Sequence, residues 1–368
     1  MTLKLKDICE IDWGNTSLTK KAYEVDGEYL AVSATGADGK ISHYEHEDDV
    51  CVLSAIGAQC GKMFFPQQRF TAIKNTITLT PKRELVNSKY LYHLFTHIKL
   101  PKRGAAQPFI SKGDIEKFEL PHLPSLAEQE RIVAKLDAAF AEIDEAVAVT
   151  TKNIETVEFL FQKSLDKIFC NPSLKFIELD EACSIIGGGT PSKKNKSFYV
   201  GKVPWATVRD MKSDYISNTE FKITNDAIKK SSTNVIPSGN VVIATRVGLG
   251  KICIVEEDTA INQDLKGIIP KNTELLDTDF LFFWFKSISK KIINAGTGAT
   301  VQGVKLPFIK SLKIPDIDIT SQKKLASSAK FISKQSELLA RIYNKKSNDL
   351  AVLKAAILKQ ELQPSEAA

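Results

Sequence analysis

The clearest order along the chain is a narrow apolar seam that alternates steps of three and four residues. It runs through Val133, Leu136, Phe140, Ile143, Val147, Thr150, Ile154, Val157, Phe161, Ser164 and Ile168, with only Thr150 and Ser164 polar. Such a seam is narrower than the face a helix turns to a globular core, and it predicts one strand of a coiled coil. At about 1.5 Å per residue the helix spans roughly 50 Å. Pro121 and Pro124 precede it, Ser125 and Glu128 form a candidate capping box, and Asn171-Pro172 ends it. A second seam follows near the C-terminus: Leu325, Ala329, Ile332, Ser336, Leu339, Tyr343, Lys346, Leu350, Leu353 and Ile357. Two helices of similar length, each with one seam, are expected to pair antiparallel across the segment between them.

The segments before each helix carry shorter patterns. "VCVLSAI", "AIKNTITLT", "NVVIATRV" and "KICIVEE" read as strands, and "SKYLYHLFTHIK" and "DTDFLFFWFKSISKKII" as amphipathic helices. The two segments also echo one another. Gly61-Lys62 falls on Gly250-Lys251, Thr71-Ala72-Ile73 on Thr259-Ala260-Ile261 and Pro81-Lys82 on Pro270-Lys271, at offsets of 188 or 189. "GAAQPFISKGDIEKFELP" (104–121) lies over "GATVQGVKLPFIKSLKIP" (298–315) without a gap. Ordered echoes that end in the same device mark a duplicated unit. The fold expected is α+β or mixed α/β: globular domains at 1–123 and 171–318, long helices at 124–170 and 319–361, and a flexible tail at 362–368.

Charge sharpens the helix pairing. The net charge is +6, but residues 124–170 hold nine acidic against five basic side chains, and 319–368 hold nine basic against four acidic. Opposite signs beside the seams favour the mixed pair over self-pairing. No run of about eighteen apolar residues suggests a membrane span, and the start has no apolar signal core, so a cytoplasmic protein is expected. The six cysteines never fall as CxxC and read as buried reduced thiols rather than metal ligands or a disulfide framework.

Catalytic motifs fail on inspection. "GAQCGKM" has only three residues between its glycines and Met63 where a phosphate loop needs Ser or Thr. "NPSL" misses the target-base loop of amino-methyltransferases, and no cofactor loop accompanies it. The tripeptide Asp264-Leu265-Lys266 precedes Pro315-Asp316, the reverse of a nuclease order. His93 and His97 lie one turn apart without a third ligand, so they read as surface or helix-face residues and no metal site is expected.

Two similar domains on one rod suit two half-sites of duplex DNA. Arg and Gln read base edges, while Lys mainly holds phosphate. The candidates on Gly-rich turns are Lys62, Lys74, Arg103, Gln107 and Lys112 in the first domain. In the second they are Lys193, Lys194, Arg209, Arg246, Lys251, Gln302 and Lys305. A lone exposed lysine is most often just a solvated residue, so the loops count for more than the single positions. A standalone nuclease or methyltransferase with degenerate motifs, and a coiled-coil scaffold, are the competing readings.

"LPSLAEQERIVAKLDAAFAEID" resembles the central region of specificity subunits of Type I restriction–modification enzymes. "IIGGGTPSKKN…VPWATVRDM" (185–211) resembles the opening of their target recognition domains, and "TAINQDLKGIIP" and "ATVQGVKLPFIKSLKIP" their later part. Gln322 keeps the family glutamine of the second helix, whereas "YLAVSATG" (29–36) replaces a Trp-centred strand and "WGNTSLTKK" only loosely matches "GGGTPSKKN". The resemblance implies a non-catalytic subunit that binds a split, asymmetric duplex DNA target, with the helices setting the spacing. It also implies two modification subunits that bind S-adenosylmethionine, and two restriction subunits using ATP and Mg as an optional addition. No cofactor is expected on this chain itself.

Overall fold

The computed structural model describes residues 3–120, 123–171, 173–298 and 303–362. The chain forms two compact units, Met1–Thr151 with Lys345–Ala368, and Lys152–Asn344.

In the first unit, a one-turn helix (Leu5–Ile8) leads into strand Cys9–Trp13, which pairs antiparallel with Thr76–Pro81. Cys51–Ser54 pairs with the other edge of Thr76–Pro81, and Met63–Phe64 completes the four-stranded sheet. A second sheet runs Gly36–Ile41, Tyr29–Ser33, Phe70–Ala72, with its last pair parallel. The apolar run "AIKNTITLT", expected as one strand, is therefore two strands in different sheets. The break is at Asn75, whose φ of 73° lies in the left-handed region that Asn tolerates. The Thr76 hydroxyl closes the corner by donating to the Ile73 carbonyl at 2.6 Å. Helix Ser88–His97 is capped by Asn87 and buries Tyr90, Leu91, Leu94 and Phe95 in the unit's main core.

The second unit builds the same frame. Cys183–Gly187, Leu265–Pro270, Val241–Ala244 and Ile252–Val255 repeat the antiparallel order, and Tyr215–Ile216 adds a parallel edge strand. Phe221–Ile223, Val203–Ala206 and Thr259–Ile261 repeat the second sheet with its parallel pair, and Asn234–Ile236 extends it. The segment "DTDFLFFWFKSISKKII" is two helices, Thr278–Ser287 and Ser289–Asn294, hinged at Ile288.

The sequence echoes are the joints of this duplicated frame. Cys9 faces Pro81 and Cys183 faces Pro270. The next residue tucks its ammonium back onto the opening turn: Lys82 on the Asp7 carbonyl at 3.0 Å, Lys271 on the Asp180 carbonyl at 2.6 Å. Gly61 and Gly250 take φ of 85° and 87° in matching tight turns, which explains both glycines without any phosphate. One echo slips. Ile73 N donates to the Val32 carbonyl, and the equivalent donor is Asn262 N to the Ala206 carbonyl. Ile73 thus corresponds to Asn262, one residue beyond the letter match at Ile261.

Each unit feeds a 44-residue helix, Leu126–Phe169 and Ile319–Leu362, about 66 Å long at helical rise. A buried glutamine ties each to its domain. The Gln129 oxygen accepts from Asn87 N at 2.9 Å, and its amide donates to the carbonyls of Leu85 (3.1 Å) and Pro124 (2.8 Å). Gln322 repeats the set with Asp277 N (2.9 Å) and the carbonyls of Leu275 and Ile317 (both 2.8 Å). The candidate capping box is only half formed: Ser125 Oγ accepts from Glu128 N, but the Glu128 carboxylate turns to Arg131 at 2.8 Å.

The central seam lies where its periodicity puts it. Leu136, Ile143 and Thr150 are buried, and Val133, Phe140, Val147, Ile154, Val157 and Phe161 are half-buried. In the first unit the partner strand runs antiparallel: Lys135 meets Glu361 at 2.7 Å, and Lys354 meets Asp144 at 2.6 Å. The second seam keeps one of its two expected rows, Ala329, Ser336, Tyr343, Leu350 and Ile357, and shifts the other by one residue. Leu325, Ile332, Leu350 and Ile357 are half-buried, but Leu339 and Leu353 are 42% and 47% exposed. The inward face follows Gln322, Ala326, Ala329, Ser333, Ser336, Ala340, Tyr343, Ser347, Leu350, Lys354 and Ile357. Small side chains let the helix sit close, and the Lys354 ammonium lies 4.7 Å above the Phe140 ring. Leu362, expected in a flexible tail, is a buried helical residue in the first unit's core. Pro121, Pro172 and the tail from 363 onward lie outside the described residues.

Candidate nucleic-acid interface

The candidate residues of the first unit divide by what already holds them. Lys62 is exposed on its turn, its ammonium 5.4 Å from the Phe64 ring centre. Lys74 is exposed at the corner beside Asn75. Gln107 is exposed in a loop whose ends, Arg103 and Phe109, exchange both backbone hydrogen bonds at 2.9 Å. Arg103 is bound to Asp114, and Lys112 is half-buried with its ammonium 2.7 Å from Asp12. Those two cations are partly neutralised within the fold, so Lys62, Lys74 and Gln107 are the freer groups.

Lys74 lines a small cleft of about 180 Å³ with Lys20, Ser33 and Thr35. Asp38 organises its rim, accepting from Lys20 at 2.5 Å, Tyr23 at 2.6 Å and Ser33 at 3.0 Å, and from Thr35. Burial alone would raise the Asp38 pKa, but these four donors outweigh it and hold the carboxyl well below the ordinary carboxylate range.

In the second unit the structure brings Lys193 and Arg209 to one cleft of about 730 Å³. Its walls include Tyr199, Trp205 and Phe221, and Thr190, Asn262, Gln263 and Asp264 face it. The three rings meet edge to face, with centroids 5.9 to 6.4 Å apart. Arg246 reaches the cleft through Asp264, at 3.6 Å, and Arg209 stays exposed with Glu220 at 3.7 Å. Lys194 is exposed on the same basic loop as Lys193. Lys251 is not part of this group. Its ammonium donates to the Met211 carbonyl at 3.2 Å and lines a separate cavity with Asp214 and Lys286. Lys305 is exposed at the start of the short helix Leu306–Lys310, and Gln302 lies outside the described residues.

The aromatic wall and the amide pair Asn262-Gln263 are absent from the candidates drawn from basic turns. The signal was there in "VPWATVRDM" and "TAINQD", but tryptophan in a strand reads first as core. No trio of His, Cys, Asp or Glu arranged to hold a metal occurs among the described residues. His93 is buried rather than on the surface, and its Nε2 lacks a hydrogen-bond partner. Of the six cysteines, Cys170 is exposed and the others are buried. Burial pushes the thiols of Cys9, Cys183 and Cys253 up to about 12, which keeps them protonated and unreactive. No helix among the described residues is long and apolar enough to cross a membrane.

Comparison with known proteins places this architecture. The model of the "Type I restriction modification DNA specificity domain" matches residues 1–156 and again 173–345. The chain is 29% identical over 252 residues to the EcoR124I/EcoR124II specificity subunit of Escherichia coli, covering 64% of this chain and 61% of that protein. It is 29% identical over 168 residues to the MjaIX specificity subunit of Methanocaldococcus jannaschii, covering 43% and 39%. The chain thus spans less than two thirds of the length of these relatives. Among solved structures, a chain of a type I restriction–modification system superposes with a TM-score of 0.78 at 18% identity, covering 99% of this chain and 97% of that one. The HsdS subunit of Thermoanaerobacter tengcongensis gives 0.54 at 18% identity, covering 99% and 96%. At that identity the two structures speak for the fold alone. With its frame built twice and the family model matching both copies, the chain belongs to the Type I restriction–modification DNA specificity family.

Proposed function

We propose that this chain is the sequence-recognition subunit of a Type I restriction–modification system and reads a split, asymmetric duplex DNA target. Family membership supports the recognition role. The observation that carries the bipartite reading is the duplicated frame with unlike reading surfaces. Equivalent corners bear Lys74 in one unit and Gln263 in the other, and the cleft beside Gln263 has an aromatic wall that the cleft beside Lys74 lacks among the described residues. Two readers with the same backbone and different side chains suit two different half-sites. The freer cations Lys62, Lys74, Lys193, Lys194, Arg209 and Lys305 supply phosphate contacts, and Gln107, Gln263 and Arg246 reach base edges. The two long helices serve as the spacer, and their outward faces dock two modification subunits and, in the cutting form, restriction subunits.

The test is binding by the chain assembled with its modification subunits, across salt concentrations. Sequence-specific affinity that falls steeply with salt is expected. Replacing residues 171–318 with the same segment of a relative should change one half of the target and leave the other. Equal affinity for all sequences sinks the reading. An unchanged target after the swap favours a scaffold, and methyl transfer or cleavage by the purified chain alone favours an enzyme.

A further inference from the structure

We propose that the cleft of the second unit receives a single nucleobase drawn out of the duplex stack. The inference rests on the recognition role above and goes beyond it, because groove reading needs no concave pocket. The cleft has the chemistry for a flat heteroaromatic guest. Phe221 is 41% exposed and offers its ring to the opening, while Trp205, 4% exposed, is pinned by its indole N–H on the Gly189 carbonyl at 3.1 Å. A volume of about 730 Å³ admits a nucleotide-sized guest. The Gln263 amide is held in a set orientation: its oxygen accepts from Thr190 and its nitrogen donates to Asp264 at 3.2 Å. An amide so oriented is suited to a base edge. Lys193 and Arg209 line the same cleft, where flanking phosphates would follow the guest.

The first unit is an internal control. By the matched backbone bonds of Val32 and Ala206, Ala31 occupies the place of Trp205. The strand partner of Trp205 is Phe221, and that of Ala31 is Gly39. The Tyr23 ring covers Gly39 so closely that a Cβ there would come within 2.2 Å of it. The same frame therefore folds without the three-ring wall and closes to about 180 Å³. Trp205 and Tyr199 also pack with Phe198, Ile223 and Ala260 in a small core of the second unit, so the part of the wall left to a ligand is the exposed Phe221 ring.

The experiment uses the chain with its modification subunits and its own target, found first by methylation-sensitive sequencing. Each base pair of the half-site read by residues 171–318 is mispaired in turn and binding is measured. Extrusion costs less at an unpaired base, so mispairing at one position other than the methylated base should tighten binding tenfold or more. Phe221→Ala should abolish that gain and Gln263→Ala reduce it, whereas Leu275→Ala, on an exposed side chain outside the cleft, should keep it. Weakening at every position overturns the proposal while leaving specific recognition intact. So does tightening only at the methylated base that ignores Phe221→Ala, since that reports extrusion by the modification subunits. Quenching of Trp205 fluorescence by free mononucleotides, without any mispairing gain, would make the cleft a free-nucleotide site and also overturn it. Loss of specific binding to matched DNA in the unaltered complex would instead sink the recognition role itself.

Discussion

Gln129 and Gln322, both buried, each accept from one backbone N–H and donate to two backbone carbonyls at the point where a domain meets its helix. Truncation removes three part-buried hydrogen bonds at once, so Gln129→Ala or Gln322→Ala should each cost about 1–3 kcal/mol. Hydrogen exchange should place the loss locally, at Leu85–Asn87 for the first and Leu275–Asp277 for the second. Unchanged protection there would remove the latch role. His93 is a second residue with a measurable signature. Burial lowers its pKa, against a smaller opposing pull from Asp137 at 3.8 Å. A histidine with a lowered folded pKa is protonated more readily in the unfolded chain. Its contribution is therefore complete above the unfolded value of about 6.5 and is lost as pH falls towards the folded value. His46, also lowered by burial, adds to the same slope. Denaturation between pH 7 and pH 5 should show falling stability, and His93→Phe should flatten part of the fall. A slope unchanged in the variant would assign it to other groups.

The two long helices share one rule at the scale of the element. From Gln129, steps of four and three lead through Val133, Leu136, Phe140 and Ile143. From Gln322, the same alternation leads through Ala326, Ala329, Ser333 and Ser336. The latch sets the phase of the seam, because it fixes which face of the first turn looks inward. Hydrophobicity alone favours Leu339 and Leu353, since leucine outranks alanine and lysine as a core residue. The packed face uses Ala340 and the Lys354 stem instead, and Lys354 keeps its charge on Asp144. Leu136→Ala should cost about 2–5 kcal/mol through the cavity it leaves, while Leu339→Ala should stay within about 0.5 kcal/mol. Equal losses in denaturant titrations would restore the leucine seam.

For the whole molecule, each globular frame is continued by a long helix, and the proposed function makes spacing and sequence reading separable properties. Adding one whole turn to both helices should lengthen the unread spacer of the DNA target and leave both half-sites as they were. Target mapping by methylation of a random-site library would show it, and an unchanged spacer would refute the ruler. The duplication also separates frame from function. Joints such as Lys82 and Lys271, or Gly61 and Gly250, recur because the backbone needs them. Ala31 against Trp205, and Lys74 against Gln263, diverge because the backbone does not.

Much of this was legible in the order of residues. Seams, breakers, opposite helix charges and repeated joints are local or periodic signals, and they suffice for two domains, two helices and a duplicated unit. The resemblance to the family rested on the same stretches. The latched glutamine, read as the origin of the second seam, would have corrected its shifted row as well. The assembly of the cleft was not legible. Tyr199, Trp205, Phe221 and Gln263 come from separate strands and turns, and each alone reads as core or surface. Nor could sequence show that Arg103 and Lys112 are bound to Asp114 and Asp12, or that Lys251 faces another cavity. Periodicity reports which side of an element faces inward; only tertiary structure decides which elements meet, and so which side chains share a site.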